Sequence, residues 1–233
     1  MAATKRRPKP AQTPVFLVGL MALTVVASNI LVQFPVNATM GGVNLAGTLT
    51  WGAFTYPFAF FVTDLANARH GPAAARRVVL AGFTTGIVMS VIFAILPMVT
   101  RQAFGDEIPA LVTMRIAIAS GTAFLIAQLL DVGIFDRLRG GAWWQPPLVS
   151  SAVGSVMDTA IFFSLAFAPA FAFLDFGGEH GSLDFPAPLL GFGVNVPLWL
   201  SLALGDLIVK ALVALALLGP YGVLRGGRVA RPA

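Results

Sequence analysis

The sequence predicts an all-α integral membrane protein, a bundle of six transmembrane helices arranged as two inverted halves of three. Three observations carry this expectation. Of 233 residues, 57% are hydrophobic and only 11% are charged, about half the charged fraction of a soluble domain. The apolar residues gather into six windows of about 20 residues, the length a helix needs to cross a bilayer. Twelve of the fifteen Lys and Arg fall in segments that alternate with nearly uncharged or acidic ones, the asymmetry that marks cytoplasmic loops.

The windows lie at 14–34, 49–68, 78–98, 110–132, 148–171 and 197–218. The first follows the basic stretch Lys5 to Lys9 and is too long for the core of a signal peptide, so it reads as a retained span. Helix breakers separate the windows: Phe34-Pro35, His70-Gly71-Pro72, Gly105 to Pro109, Gly140-Gly141 and Gly177-Gly178. Pro57 inside the second window and Gly154 inside the fifth are tolerated in membrane helices and can turn freed backbone groups toward a cavity. Lys5, Arg6, Arg7, Lys9, Arg69, Arg76, Arg77, Arg137, Arg139, Arg225, Arg228 and Arg231 form the basic set, against Arg101 alone in the opposite loops. Both termini are therefore expected in the cytoplasm, with 35–48, 99–109 and 172–196 external. The expected organisation is a basic tail over 1–13, one six-helix domain over 14–218 and a second basic tail over 219–233. The inverted halves rest on short echoes, Val32-Gln33-Phe34 with Ala127-Gln128-Leu129 and Val62-Thr63-Asp64 with Met157-Asp158-Thr159.

Several function classes are excluded. The net charge of +5 is divided among short clusters, so no nucleic-acid contact is expected. There is no Cys, which removes thiol catalysis and thiolate metal sites. His70 and His180 fall in loops on opposite sides. No H-E-x-x-H, G-x-S-x-G or phosphate-cradling glycine loop occurs. No enzyme activity, cofactor or metal is expected.

What remains is a set of ionisable residues at membrane depth: Arg115, Asp158, Asp206 and Lys210 inside windows, and Asp64 toward the end of one. Such residues face a bundle interior or a water-filled cavity and mark substrate or ion pathways. Asp158 and Asp206 lie ~13–15 Å from their window starts, near the midplane. Lys210 follows Asp206 by four residues, so the two can pair on one helix face. Arg115 is only ~8 Å deep, shallow enough to snorkel outward. Asp131, beside Arg137, reads as an interfacial ion pair more readily than as a ligand contact. Asn29 and Gln33 share one face of the first span, where they either glue helices together or touch a ligand. Tyr56, beside Pro57, is placed to line a cavity.

At these positions the chain resembles the queuosine precursor transporter family, also called vitamin uptake transporters. The resemblance is carried by Ser28-Asn29-Ile30-Leu31-Val32-Gln33-Phe34-Pro35, by Thr50-Trp51-Gly52-Ala53-Phe54-Thr55-Tyr56-Pro57-Phe58 running to Thr63-Asp64-Leu65, and by Arg115 through Gln128-Leu129-Leu130-Asp131. It continues with Gly154-Ser155-Val156-Met157-Asp158-Thr159 and with Asp206 and Lys210 before Pro220-Tyr221-Gly222. It implies import of 7-cyano-7-deazaguanine, and of its 7-aminomethyl relative, across the bacterial inner membrane for queuosine salvage. The substrate-binding residues it implies are Asn29, Gln33, Tyr56, Phe58, Asp64, Arg115, Gln128, Asp158, Asp206 and Lys210. The implied partners are a small deazapurine and the lipid bilayer, with a dimer left open. The chemistry agrees: a carboxylate accepts from the N1–H and exocyclic amine edge of a deazaguanine, and its flat ring stacks on Tyr or Phe. Three readings stay open, in this order: a stand-alone secondary transporter, the substrate-binding subunit of an ATP-driven, energy-coupling-factor-type importer, and a non-transport membrane enzyme or scaffold.

Overall fold

The computed structural model describes residues 14–40, 43–44, 49–104, 114–175 and 183–226. Its helices are α1 (Val15–Leu31), α2 (Gly52–Thr55), α3 (Pro57–His70), α4 (Pro72–Phe104), α5 (Met114–Leu138), α6 (Gln145–Phe167) and α7 (Leu198–Leu224). Each expected window thus corresponds to helix. Among the described residues, α5, α6, α7 and the Pro72–Phe93 part of α4 are long and apolar enough to cross a membrane, and α1 is a shorter apolar helix. The chain is an all-α membrane protein in its helical body. The basic residues of 1–13, the acidic pair Asp106 and Glu107, and Gly177 to His180 lie outside the described residues.

The second window is the one the structure redraws. The helix is broken between Tyr56 and Pro57, because Pro57 has no N–H to give to the carbonyl one turn earlier. The Tyr56 N–H still bonds Gly52 O at 2.9 Å, and Ala59 N–H takes the tighter bond to Tyr56 O at 2.9 Å. From Gly52 to His70 the two pieces rise roughly 28 Å together.

α3 is the hub of the bundle. It packs against α1, α4, α5, α6 and α7, and its residues from Ala59 to Ala68 are buried except for Phe61. Being surrounded by protein, it carries Thr63, Asp64 and Asn67 without meeting lipid. One residue joins it to α4. Gly71 sits at φ 82°, ψ 173°, a conformation open essentially only to glycine. It lets Asn67 O accept from Gly71 N–H while Gly71 O accepts from Ala75 N–H. Gly154 brings α6 onto this hub: a Cβ there would stand 2.6 Å from the Phe60 ring.

The outer helices turn apolar stripes outward. On α7, Leu200, Leu204, Ile208, Leu212 and Leu215 are exposed while Ser201, Gly205, Val209 and Lys210 face inward. α4 exposes Leu80, Ile87, Val88, Val91 and Ile92. Residues three and four apart on a helix share a face, so these stripes are lipid-facing surfaces. Polar side chains on such helices satisfy themselves locally: Thr24, Thr84, Thr85 and Ser120 each donate to the carbonyl four residues back at 2.9 Å.

Two small antiparallel hairpins, which the apolar windows did not foretell, follow α1 and precede α7: β1 (Thr39–Met40) with β2 (Val43–Asn44), and β3 (Pro186–Leu189) with β4 (Phe192–Pro197). The second turns through Leu190 (φ 52°) and Gly191 (φ 84°). Ser201 Oγ accepts from Leu190 N–H at 2.7 Å, which fixes the strained turn against α7. Of the pairings that two inverted halves would repeat, α3 packs on α4 as α6 packs on α7, while others differ. In the first half α1 rests chiefly on α4, whereas in the second α5 runs along α6.

Candidate substrate and coupling site

The break at Pro57, the middle of α6 and the middle of α7 meet around one buried ammonium. Lys210 Nζ lies 2.7 Å from Asp158 Oδ2 and 2.5 Å from Asp206 Oδ2. It also donates to Thr159 Oγ1 at 3.1 Å, and Thr159 in turn donates to Asp206 Oδ2 at 2.9 Å. The Tyr56 hydroxyl donates to Asp158 Oδ1 at 2.9 Å, and the Tyr56 ring lies 5.1 Å beneath the ammonium. Phe60 and Phe124 hold that ring edge-on at 6.3 Å. The expected i,i+4 pair of Asp206 and Lys210 is present. Lys210 does not neutralise one carboxylate and leave the other free: it bridges both. The two carboxylates differ in access, the Asp158 side chain being 5% exposed and that of Asp206 16%. With both ionised, the trio carries one net negative charge.

A second polar cluster lies two turns further along α3 and α6. Asp64 on α3 accepts from Ser150 Oγ at 3.2 Å and Ser151 Oγ at 3.0 Å. Asp131 on α5 abuts both Asp64 and Ser150. Neither Asp131 oxygen receives a hydrogen bond, because the Ser150 hydroxyl is turned to Asp64. Beside it, Thr63 donates to Gln128 Oε1 at 2.6 Å, and Asn67 donates to Val132 O at 3.0 Å. A narrow pocket touches this cluster. It is lined by Asp64, Ser151, Ser155, Pro57, Phe60 and Tyr221 among others. About 20 Å³ of it admits a water, room for roughly one molecule and none for a heterocycle.

The expected site residues therefore divide. Tyr56, Asp158, Asp206 and Lys210 come together. Asp64 and Gln128 belong to the second cluster. Asp131 is not the interfacial ion pair expected of it, for it is fully buried. Arg115 neither snorkels nor joins the carboxylates. Arg115 is the second residue of the described part of α5, and its guanidinium caps the end of α6. It donates to Leu165 O at 2.7 Å and Ala168 O at 2.6 Å and pairs with Asp175 at 2.9 Å. Phe58 is 42% exposed and looks away from the bundle. The Asn29 amide donates to Val25 O of its own helix at 2.9 Å, while Ser28 binds Thr55 Oγ1 at 3.0 Å and so closes the seam between α1 and α2. Gln33 is half-buried beyond the end of α1. Thr159, Ser150 and Ser151 were not expected. Thr159 adjoins Asp158 in sequence, which was the available signal; the serines carried none.

A family model described as "Putative vitamin uptake transporter" matches residues 50–224. The chain belongs to this family of queuosine precursor transporters. The Queuosine precursor transporter of Escherichia coli (strain K12) is 36% identical over 208 residues, which cover 87% of this chain and 81% of that protein. A "Probable queuosine precursor transporter" of Haemophilus influenzae is 31% identical over 210 residues, 86% of this chain and 81% of the relative. One from Bacillus subtilis is 32% identical over 130 residues, 52% of this chain and 57% of the relative. No solved structure matches. The family's named members are transporters rather than enzymes, and this member is a multi-pass protein of a bacterial membrane. The buried ion cluster takes in the Tyr56, Asp158, Thr159, Asp206 and Lys210 positions of the matched region.

Proposed function

We propose that the chain imports queuosine precursors, 7-cyano-7-deazaguanine and its 7-aminomethyl relative, across the inner membrane as a stand-alone secondary transporter. The observation that carries this reading is the buried cluster of Lys210, Asp158, Asp206, Thr159 and Tyr56. A buried charge network inside a membrane bundle is costly without a functional return, and this one has the donors and acceptors a deazaguanine edge requires. Asp158 is committed on both oxygens, to Tyr56 and to Lys210. Asp206 is the more accessible carboxylate and reads the N1–H and amine edge. The Thr159 hydroxyl is the neutral group that yields its bond to the incoming ligand, while Lys210 supplies the countercharge to both carboxylates. The aromatic rings of Tyr56, Phe60 and Phe124 supply apolar surface beside the ligand.

This reading includes six membrane crossings, with α2 and α3 together forming the second, and both termini in the cytoplasm. The basic set at Arg69, Arg76, Arg77, Arg137, Arg139 and Arg225 stands at the ends of helices that this orientation turns inward. Cysteines introduced at Gly178 and Gly226 of this Cys-free chain are expected to react from opposite faces of sealed vesicles. Reaction from the same face would rule out the six-crossing arrangement.

Uptake by the purified protein in liposomes tests the function itself. Labelled 7-cyano-7-deazaguanine is expected to enter without ATP and without another protein, and unlabelled guanine is expected to compete weakly. Entry only after adding an ATP-driven partner would favour the energy-coupling-factor-type subunit. No binding and no entry under either condition would refute the transport reading.

A further inference from the structure

We propose that Asp64 and Asp131 form a proton-sharing carboxyl pair that couples proton entry to transport. The inference rests on the transport reading above and assigns a separate site its own ligand, the proton.

The geometry begins with burial: Asp131 is 0% and Asp64 2% exposed. Ionised carboxylates are acceptors only, and two of them facing each other in a dry interior are not both ionised. The groups around the pair supply no counter-charge. From α6 come only the hydroxyls of Ser150 and Ser151, both given to Asp64. From α7 comes Tyr221, whose ring packs edge-on against Phe135 at 6.4 Å. Arg139 at the end of α5 is engaged by Asp136 at 3.0 Å and by Asn67. The Arg69 guanidinium donates to Leu224 O, and Arg225 stacks over Trp143 at 5.4 Å. The α1 and α4 residues of the surrounding core, Leu17, Met21, Val25, Val78 and Val79, are apolar. Among the described residues no ion pair reaches either carboxylate.

The two carboxyls are also unequal. Asp64 receives two hydroxyl donors, which favour its ionised form. Asp131 receives none. A proton on Asp131, donated to Asp64, engages one of the two orphaned oxygens and removes the doubled charge at once. Asp131 is thus the carrier and Asp64 its acceptor. Only an O–H bond forms and breaks, and the pair titrates as a unit. Two adjacent charges are tolerable only when water enters, so Asp131 releases its proton when the pocket beside Asp64 opens to an aqueous face.

The pocket also explains how the pair senses the ion cluster. Ser155 lines it between Ser151, four residues earlier, and Asp158, three residues later, all on α6. Pro57 lines it next to Tyr56, the donor to Asp158. The two sites are therefore stacked on α3 and α6, roughly 11 Å apart along the helix axes.

Wild-type protein and Asp131→Asn in liposomes, with a pH-sensitive dye inside and labelled 7-cyano-7-deazaguanine outside, test this. In the wild type an acidic exterior is expected to raise initial uptake at least tenfold, and uptake to acidify the interior. Asn at 131 mimics the protonated carboxyl and cannot lose its proton. Asp131→Asn is expected to retain exchange of labelled for unlabelled substrate within about twofold, since exchange moves no net proton, and to lose stimulation by the gradient. Gradient-stimulated accumulation by Asp131→Asn would overturn the inference. So would wild-type uptake that leaves the interior pH unchanged or responds to sodium instead, an outcome that needs no variant to fold. Absence of both uptake and exchange in the wild type would overturn the transport reading and this inference with it, whereas net uptake without acidification overturns this inference alone.

Discussion

Lys210→Met is expected to lower the melting temperature of the detergent-solubilised protein by about 10 °C, and to abolish binding of 7-cyano-7-deazaguanine. The ammonium is shared by two carboxylates at 2.7 and 2.5 Å and its side chain is 4% exposed. Methionine fills the same volume, so the loss measures charge and not packing. Removing one partner of a buried ionic group costs about 3–5 kcal/mol because the remaining charge is stranded, and for a chain of this size each kcal/mol shifts melting by roughly 2–4 °C. Here two carboxylates lose their cation together. Asp158→Asn combined with Lys210→Met should recover part of the loss, since it removes one stranded charge, and the double-mutant cycle gives the coupling directly. A Lys210→Met protein that melts within 2 °C or so of wild type would mean that the cluster does not hold the bundle together.

The two carboxylates of the same cluster are expected to respond in opposite ways. Asp206→Asn should weaken binding of 7-cyano-7-deazaguanine by one to two decades and leave melting little changed. Amide replaces one of the acceptors the ligand edge needs, and losing a charge-assisted hydrogen bond costs about 1.5–3 kcal/mol. Lys210 retains Asp158 and Thr159 as partners in that variant. Asp158→Asn should instead melt earlier, since the Tyr56 hydroxyl and the ammonium both lose an ionised acceptor in the less exposed position. Binding isotherms and melting curves in one detergent separate the two. Equal behaviour of the pair in both measurements would remove the distinction between a reading and a supporting carboxylate, and wild-type affinity in both would remove the edge-reading role.

The parts of this architecture legible in the sequence were those set by solvent. Six apolar windows became helix because a bilayer leaves the backbone no other partner. Asp158, Asp206 and Lys210 announced themselves because charges at the depth of Leu and Val have to converge. Depth along a helix is readable at 1.5 Å per residue, but rotation about its axis is not when every face is apolar. That is why Phe58, two residues from Tyr56, turned out to look away from the bundle and Asn29 to serve its own helix. Arg115 was misplaced because its guanidinium reaches the carbonyls at the end of α6, a partner that depth along its own helix does not reveal. The pairing of Asp64 with Asp131 was hidden for another reason: Asp131 stands near Arg137 in sequence, which suggested an interface, whereas its neighbour α3 lies in the centre of the bundle, surrounded by α1 and α4 to α7.

The central position of α3 bears on how a cell makes this protein. Helices emerging from the ribosome are admitted to the membrane largely on their own hydrophobicity, and α3, short and carrying Thr63, Asp64, Asn67 and Arg69, is not among the four long apolar helices. Thr63, Asp64 and Asn67 find their partners, Gln128, Val132, Asp131, Ser150 and Ser151, on α5 and α6, and Arg69 donates to Leu224 O at the end of α7. Until translation has passed residue 151, the hub of the finished bundle is its least self-sufficient segment, so assembly has to proceed by later helices closing around an earlier one that waits for them.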